Sequence, residues 1–155
     1  MTKPATSDEL RRPDPFVEFA GTRIVEADAH RAVAEQRPGQ ELDNHAGVRH
    51  AGALFAVGFA ASRALVAAAL EPLTEPLTTS MIDSEIAYER VVAGELVTAV
   101  AEPSGEDWGP LLARISDGET VKLPTSVTLR NEQDKTVTAM SVCWQVTPDS
   151  NGAAA

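Results

Sequence analysis

Two of the chain's three histidines, His45 and His50, lie in one short polar segment, Asn44-His-Ala-Gly-Val-Arg-His-Ala-Gly52. An imidazole can carry a proton near neutral pH. Directly behind the segment begins a long run rich in Ala and Leu that reads as a helix. A helix N-terminus offers unpaired N–H groups and a partial positive charge. Gly52 has no Cβ and lets a ligand come close. The backbone amides of Ala51 and Gly52 are therefore candidates for holding a negatively charged oxygen. Each residue also has a plainer reading. Gly52 suits close packing of helix on strand, Asn44 is a natural turn residue in a Gly-containing loop, and a lone histidine is most often a structural hydrogen-bonding group.

Several elements must hold this segment. Phe16–Arg37 opens the folded part, with Thr22–Glu35 expected as one strand and Glu26–Gln36 as a helical alternative. Arg37-Pro-Gly-Gln40 breaks it. The run Ala53–Leu70 has few β-branched residues and reads as helix. It is apolar nearly all round, so it should be buried on most sides. Pro72 stops it. It is long enough for a membrane span, but Arg63 sits inside it, at a cost of about 2.5–3.5 kcal/mol on insertion scales. We expect no membrane partner. Thr79–Val92, Glu95–Glu102, Val121–Asn131 and Thr136–Thr147 read as strands, the last two joined by a turn at Asn131–Lys135. In the last strand Met140, Val142, Trp144 and Val146 alternate with Ser141, Cys143 and Gln145. Ser104–Gly118 reads as an irregular insertion with a short strand. Strand, long buried helix and antiparallel strands together predict an α+β domain.

The 155 residues suit one domain, and 43% are hydrophobic, which permits a packed core. We expect a disordered segment over 1–15, one domain over 16–147 and a disordered tail over 148–155. The first segment has no apolar stretch of the kind a signal peptide needs. A single cysteine, Cys143, rules out an intrachain disulfide and a cysteine zinc site, which fits a cytoplasmic protein; no metal is expected. Without an evident activating neighbour, Cys143 reads as inert. The formal net charge is −10, which argues against nucleic acid as a partner. It also means that an anionic ligand would need a local group of arginines.

Three stretches carry a resemblance. Asn44–Phe55 resembles the Asn-x-x-Gly-x-x-His-Gly-Gly segment of the phenylacetate-pathway type of hotdog thioesterase. Ile82–Leu96 resembles the strand after the helix in that superfamily, and Leu129–Met140 its closing hairpin. The chain is similar over Phe16–Thr147, nearest to the branch typified by the YiiD C-terminal domain. The resemblance implies a hotdog fold, a long helix wrapped by an antiparallel sheet. It implies a homodimer or dimer of dimers with sites at the interface. The substrate would be an acyl thioester of coenzyme A or acyl carrier protein, drawn from fatty acid or polyketide metabolism, with no further cofactor.

On that resemblance the amides of Ala51 and Gly52 would polarise the thioester carbonyl. Asn44 would bind or orient the carbonyl or the attacking water. His50 would shape the loop; His45 is not expected from the resemblance and is a candidate base or proton carrier by imidazole chemistry alone. The superfamily's usual helix carboxylate falls at Phe59, and no Asp or Glu occurs from Arg49 to Leu70. Three options stay open: a carboxylate from the next strand, where Asp83, Glu85 and Glu89 share one face and Glu85 is the candidate taken, a histidine, or no efficient hydrolysis. Phe55 and Phe59 would line an acyl pocket. Arg49, Arg63 and Arg90 are the candidate positive charges for phosphates. The leading expectation is a thioesterase with an atypical site. The alternatives are hydration or amine addition on 2-enoyl thioesters, and a non-catalytic acyl-thioester binding domain. Trp108 and Trp144 read as packing residues.

Overall fold

A computed structural model of the chain describes residues 5–6, 9–10 and 12–149. Its axis is a twenty-residue helix, α2 (Ala51–Leu70), with a short helix α1 (Pro15–Phe19) before it and α3 (Trp108–Ser116) after it. Among the described residues, seven strands form one antiparallel sheet: β1 (Ala5–Thr6), β2 (Thr22–Ala27), β3 (Ala32–Gln36), β4 (Leu77–Tyr88), β5 (Val97–Pro103), β6 (Val121–Arg130) and β7 (Thr136–Pro148). Their order across the sheet is β1-β4-β7-β6-β5-β3-β2. The sheet wraps α2, and the architecture is the expected hotdog.

Helix α2 is long and apolar enough to cross a bilayer by length and composition, yet most of it is buried in the fold. Val57, Ala61, Leu65 and Val66 are fully shielded and meet Ala99, Ala101, Leu123, Val127, Leu129 and Val146 from the sheet. Gly58 allows close approach to β7, since a methyl there would lie 2.5 Å from Met140 Sδ. A buried hydroxyl network crosses from helix to sheet. Trp144 Nε1 donates to Ser62 Oγ at 2.8 Å, Ser62 shares a 2.7 Å bond with Thr125 Oγ1, and Thr125 donates to Val142 O. Trp144 is thus a packing residue with its N–H satisfied.

Three expectations are corrected. Thr22–Glu35 is a hairpin of two strands, not one strand or a helix. Asp28 Oδ1 accepts from the N–H groups of His30 and Arg31 and turns the chain there. Ser104–Gly118 holds a helix rather than a strand. Asp107 caps α3 by accepting from Gly109 N–H, and Pro110 falls in the first turn, where a missing N–H does no harm. Trp108 and Ile115 face the core. Finally, the described part of the N-terminal segment is built onto the domain. Thr6 pairs with β4, Leu10 is 5% exposed, and Asp14 caps α1. The composition of 1–15 suggested disorder because its few apolar residues show no periodicity. The expectations for 1–4, 7–8, 11 and 150–155 lie outside the described residues.

Candidate functional site

The start of α2 is set by His50. Its backbone is extended (φ −62°, ψ 138°), and its Nδ1 accepts the Gly52 N–H at 2.8 Å. The imidazole does what a serine or aspartate usually does at an N-cap. Because Nδ1 accepts, the ring proton resides on Nε2, and the exposed ring presents an Nε2–H donor. The backbone N–H groups of Ala53 and Leu54 go to His50 O, at 3.0 and 3.2 Å. The Ala51 N–H has no acceptor among the described residues, and Ala51 is exposed. This corrects the expected amide pair: the Gly52 N–H is engaged by His50, and the exposed donors are Ala51 N–H and His50 Nε2–H.

The loop before the helix is closed by a bridge between Asp43 and Arg49 and by His50 N–H donating to Leu42 O. Asn44 Oδ1 accepts from Ala46 N–H at 2.9 Å and Val48 N–H at 3.4 Å. The plain reading of Asn44 as a loop cap is therefore seen, and only its side-chain NH2 remains to meet a ligand. His45 is exposed in the turn that follows.

Tyr88 comes from the end of β4. Its hydroxyl donates to Ala51 O at 3.1 Å, which lays the phenol over the first residue of the helix. Burial pushes its pKa up, so it stays a donor. The sequence offered no spacing that links Tyr88 to Ala51. Phe55 and Phe59 continue from this corner along α2, with ring centroids 6.3 Å apart and nearly parallel planes. Phe59 also meets Trp144 at 5.6 Å. Both phenylalanines are only part-buried.

Glu85 does not join this group. Ile86 pairs with Met140, which turns towards Gly58 of the helix, whereas Glu85 pairs with Ser141 on the outer face. The bulge between Met81 and Asp83 moves Asp83 to that outer face too, opposite Cys143. Period-2 alternation aligned these acids on one face but could not say which face met the helix. Burial and an unfavourable Asp83 raise the Cys143 thiol pKa, which keeps it inert.

Two of the three candidate arginines are committed elsewhere. Arg49 is 4% exposed, with Nη1 donating to Gln36 Oε1 and Nη2 to Glu95 O. Arg63 donates to the Glu9 and Arg12 carbonyls and ties the N-terminal segment to α2. Arg90 is exposed and has no side-chain partner among the described residues. A cleft of about 640 Å³ lies on the Arg63 flank, between α1, β2 and the alanines Ala60, Ala64 and Ala67. A shallower hollow lies over Glu85–Ala87 and Ala139–Ser141. Neither is lined by Asn44–Gly52. His50, Ala51 and Gly52 are all exposed.

No curated protein matches this sequence. Solved structures share the fold. The Haemophilus influenzae thioesterase HI1161 superposes with a TM-score of 0.72 at 18% identity, covering 94% of this chain and 93% of its own. A hypothetical thioesterase of Streptococcus pneumoniae, solved with coenzyme A, gives 0.67 at 16% identity over 86% and 94%. The Escherichia coli PaaI protein from the phenylacetic acid degradation operon gives 0.65 at 19% identity over 89% and 88%. At these identities the likeness is one of fold. Residues 3–146 match a domain family described only as a domain of unknown function, DUF4442, and the chain belongs to that family.

Proposed function

We propose that this chain is an acyl-thioester hydrolase that works as a dimer and polarises its substrate at the N-terminus of α2. The observation that carries the reading is the His50 cap. With Nδ1 accepting from Gly52, the exposed His50 keeps its Nε2–H and the exposed Ala51 its N–H, both at the positive end of a twenty-residue helix. A thioester carbonyl held there becomes the tetrahedral oxyanion when water attacks. Two N–H groups then meet the charge. Collapse of that intermediate expels the thiolate and leaves a carboxylic acid. His45, on the exposed turn, takes the proton from the water. Phe55 and Phe59 form the apolar wall for the acyl group.

The dimer reading is supported by the edge of β4. Strand β1 covers only Thr78 and Thr79, so the rest of that edge has no described neighbour. Ile82 and Tyr88 along it, and Val91 just beyond, are exposed. A bare apolar edge invites pairing with a second copy, which would roof the open corner beside Ala51. Arg90 is our candidate for the phosphates of coenzyme A. One structural neighbour was solved with coenzyme A, which is consistent with that ligand class.

A second reading, proton transfer on 2-enoyl thioesters, is favoured by the absence of any carboxylate on α2. The same two donors would stabilise an enolate. A panel of saturated and 2-enoyl thioesters, followed for free thiol and for acyl product by mass spectrometry, separates the readings. Thiol release from saturated substrates supports hydrolysis. Mass gain without thiol release supports addition. Saturable binding without turnover leaves a non-catalytic binding domain.

A further inference from the structure

We infer that Arg49 is a positioning residue, a buried cation that holds the His50 donor in place; this rests on the proposed carbonyl-binding role of that corner. Arg49 is 4% exposed and Gln36 fully buried, yet no carboxylate of a described residue lies within ion-pair distance of the guanidinium. Glu95 contributes its main-chain oxygen to Arg49, at 2.6 Å, and turns its carboxylate to the Glu132 N–H. Nε is buried with no partner. Burying a cation in this way is costly, and an apolar residue of similar volume would serve packing better. What an apolar residue cannot supply is the rigid fork of donors.

The fork reaches two separate parts of the fold, β3 through Gln36 and the segment after β4 through Glu95. The Arg49 N–H adds a third tie, to Val92 O at 2.7 Å. Gln36 then passes the contact on. Its Nε2 donates to Ala53 O at 2.7 Å, in the first turn of α2. Arg49 and Ala53 are thus held by one side chain, with His50, Ala51 and Gly52 spanning the gap. Neighbouring side chains on extended backbone point in opposite directions. Fixing Arg49 inwards directs His50 outwards, onto the Gly52 N–H. Burial lowers the Arg49 pKa, and the Asp43 and Glu95 charges offset only part of that effect.

The test compares the wild-type protein with Arg49→Met, Arg49→Lys and Gln36→Met. Gln36→Met cuts the same relay from the β3 side and leaves Arg49 in place, in case Arg49→Met does not fold. One readout needs no substrate: ¹⁵N chemical shifts of the His50 ring and hydrogen exchange at the Gly52 amide. The wild-type ring should be a single Nε2–H tautomer with Gly52 protected. In the folded variants we expect mixed tautomers and about tenfold faster Gly52 exchange. The second readout is thioester turnover, expected to fall about tenfold or more in kcat with KM little changed. Lys keeps the charge but lacks the fork, so Arg49→Lys should not restore either readout. An unchanged His50 tautomer and unchanged Gly52 exchange in every folded variant would overturn the inference, as would full rescue by Lys. Wild-type inactivity on all thioesters, with the tautomer shift still present in the variants, would sink the proposed function and leave the positioning role standing.

Discussion

In the proposed reading His50 adds an oxyanion donor to its observed role as N-cap, and single substitutions can separate the two. His50→Ala removes both the N-cap, typically about 0.5–2 kcal/mol, and one oxyanion donor, on the order of 10²–10³ in rate. His50→Asn restores a good cap without the Nε2–H. We expect denaturation midpoints to recover in the Asn variant while kcat stays at the level of Ala. Recovery of both would mean that the ring serves only as a cap. Phe59 is the second informative residue. Phe59→Asp restores a carboxylate where the resemblance implies one, at a folding cost on the order of several kcal/mol, because the ring stacks on Phe55 and packs at a tilt against Trp144. If the variant folds, hydrolysis of a saturated acyl-CoA should rise. A folded variant without a gain would weigh against a thioesterase site and towards the enoyl or binding readings.

At the scale of elements, the contact of α2 with β6 and β7 depends on satisfied buried hydroxyls. Ser62→Ala leaves the Trp144 N–H without its acceptor, in a place water does not reach. An unsatisfied buried group costs about 1–3 kcal/mol. Urea denaturation should register that loss, whereas turnover per folded molecule should hardly change, since Ser62 lies inside the helix–sheet contact and away from the corner. On the other flank, Arg63 fastens the N-terminal segment through the Glu9 and Arg12 carbonyls. Arg63→Ala should speed limited proteolysis before α1, with the central domain surviving.

For the whole molecule the decisive quantity is association. In the proposed dimer a second subunit covers the bare part of the β4 edge and the corner beside it. We expect sedimentation at micromolar concentration to report at least a dimer. Ile82→Lys sets a charge on that edge and should shift the population towards monomer while lowering turnover, although Ile82 touches no proposed reacting atom. A wild-type monomer with full activity would refute the dimer reading and the roofed site together. Arg90→Ala should raise KM for a coenzyme A ester several-fold at low salt and less at high salt, where screening already weakens the contact.

Much of the fold was legible in the sequence because period and composition are local. The Ala- and Leu-rich run gave α2, and the alternation from Met140 to Val146 gave the buried face of β7. The turn between β2 and β3 and the helix α3 were missed, because Asp28 and Asp107 act through hydrogen bonds to nearby N–H groups that composition does not disclose. The site was legible as a segment but not as an arrangement. Sequence singled out Asn44–Gly52 and the missing carboxylate at Phe59. Tertiary structure decided which amide is free, turned Glu85 outwards, buried Arg49 and brought Tyr88 to Ala51. The reason is physical. A strand's two faces look alike in sequence until a helix covers one of them, and a hydrogen bond between residues 37 apart in the chain exists only once the sheet has closed around the helix.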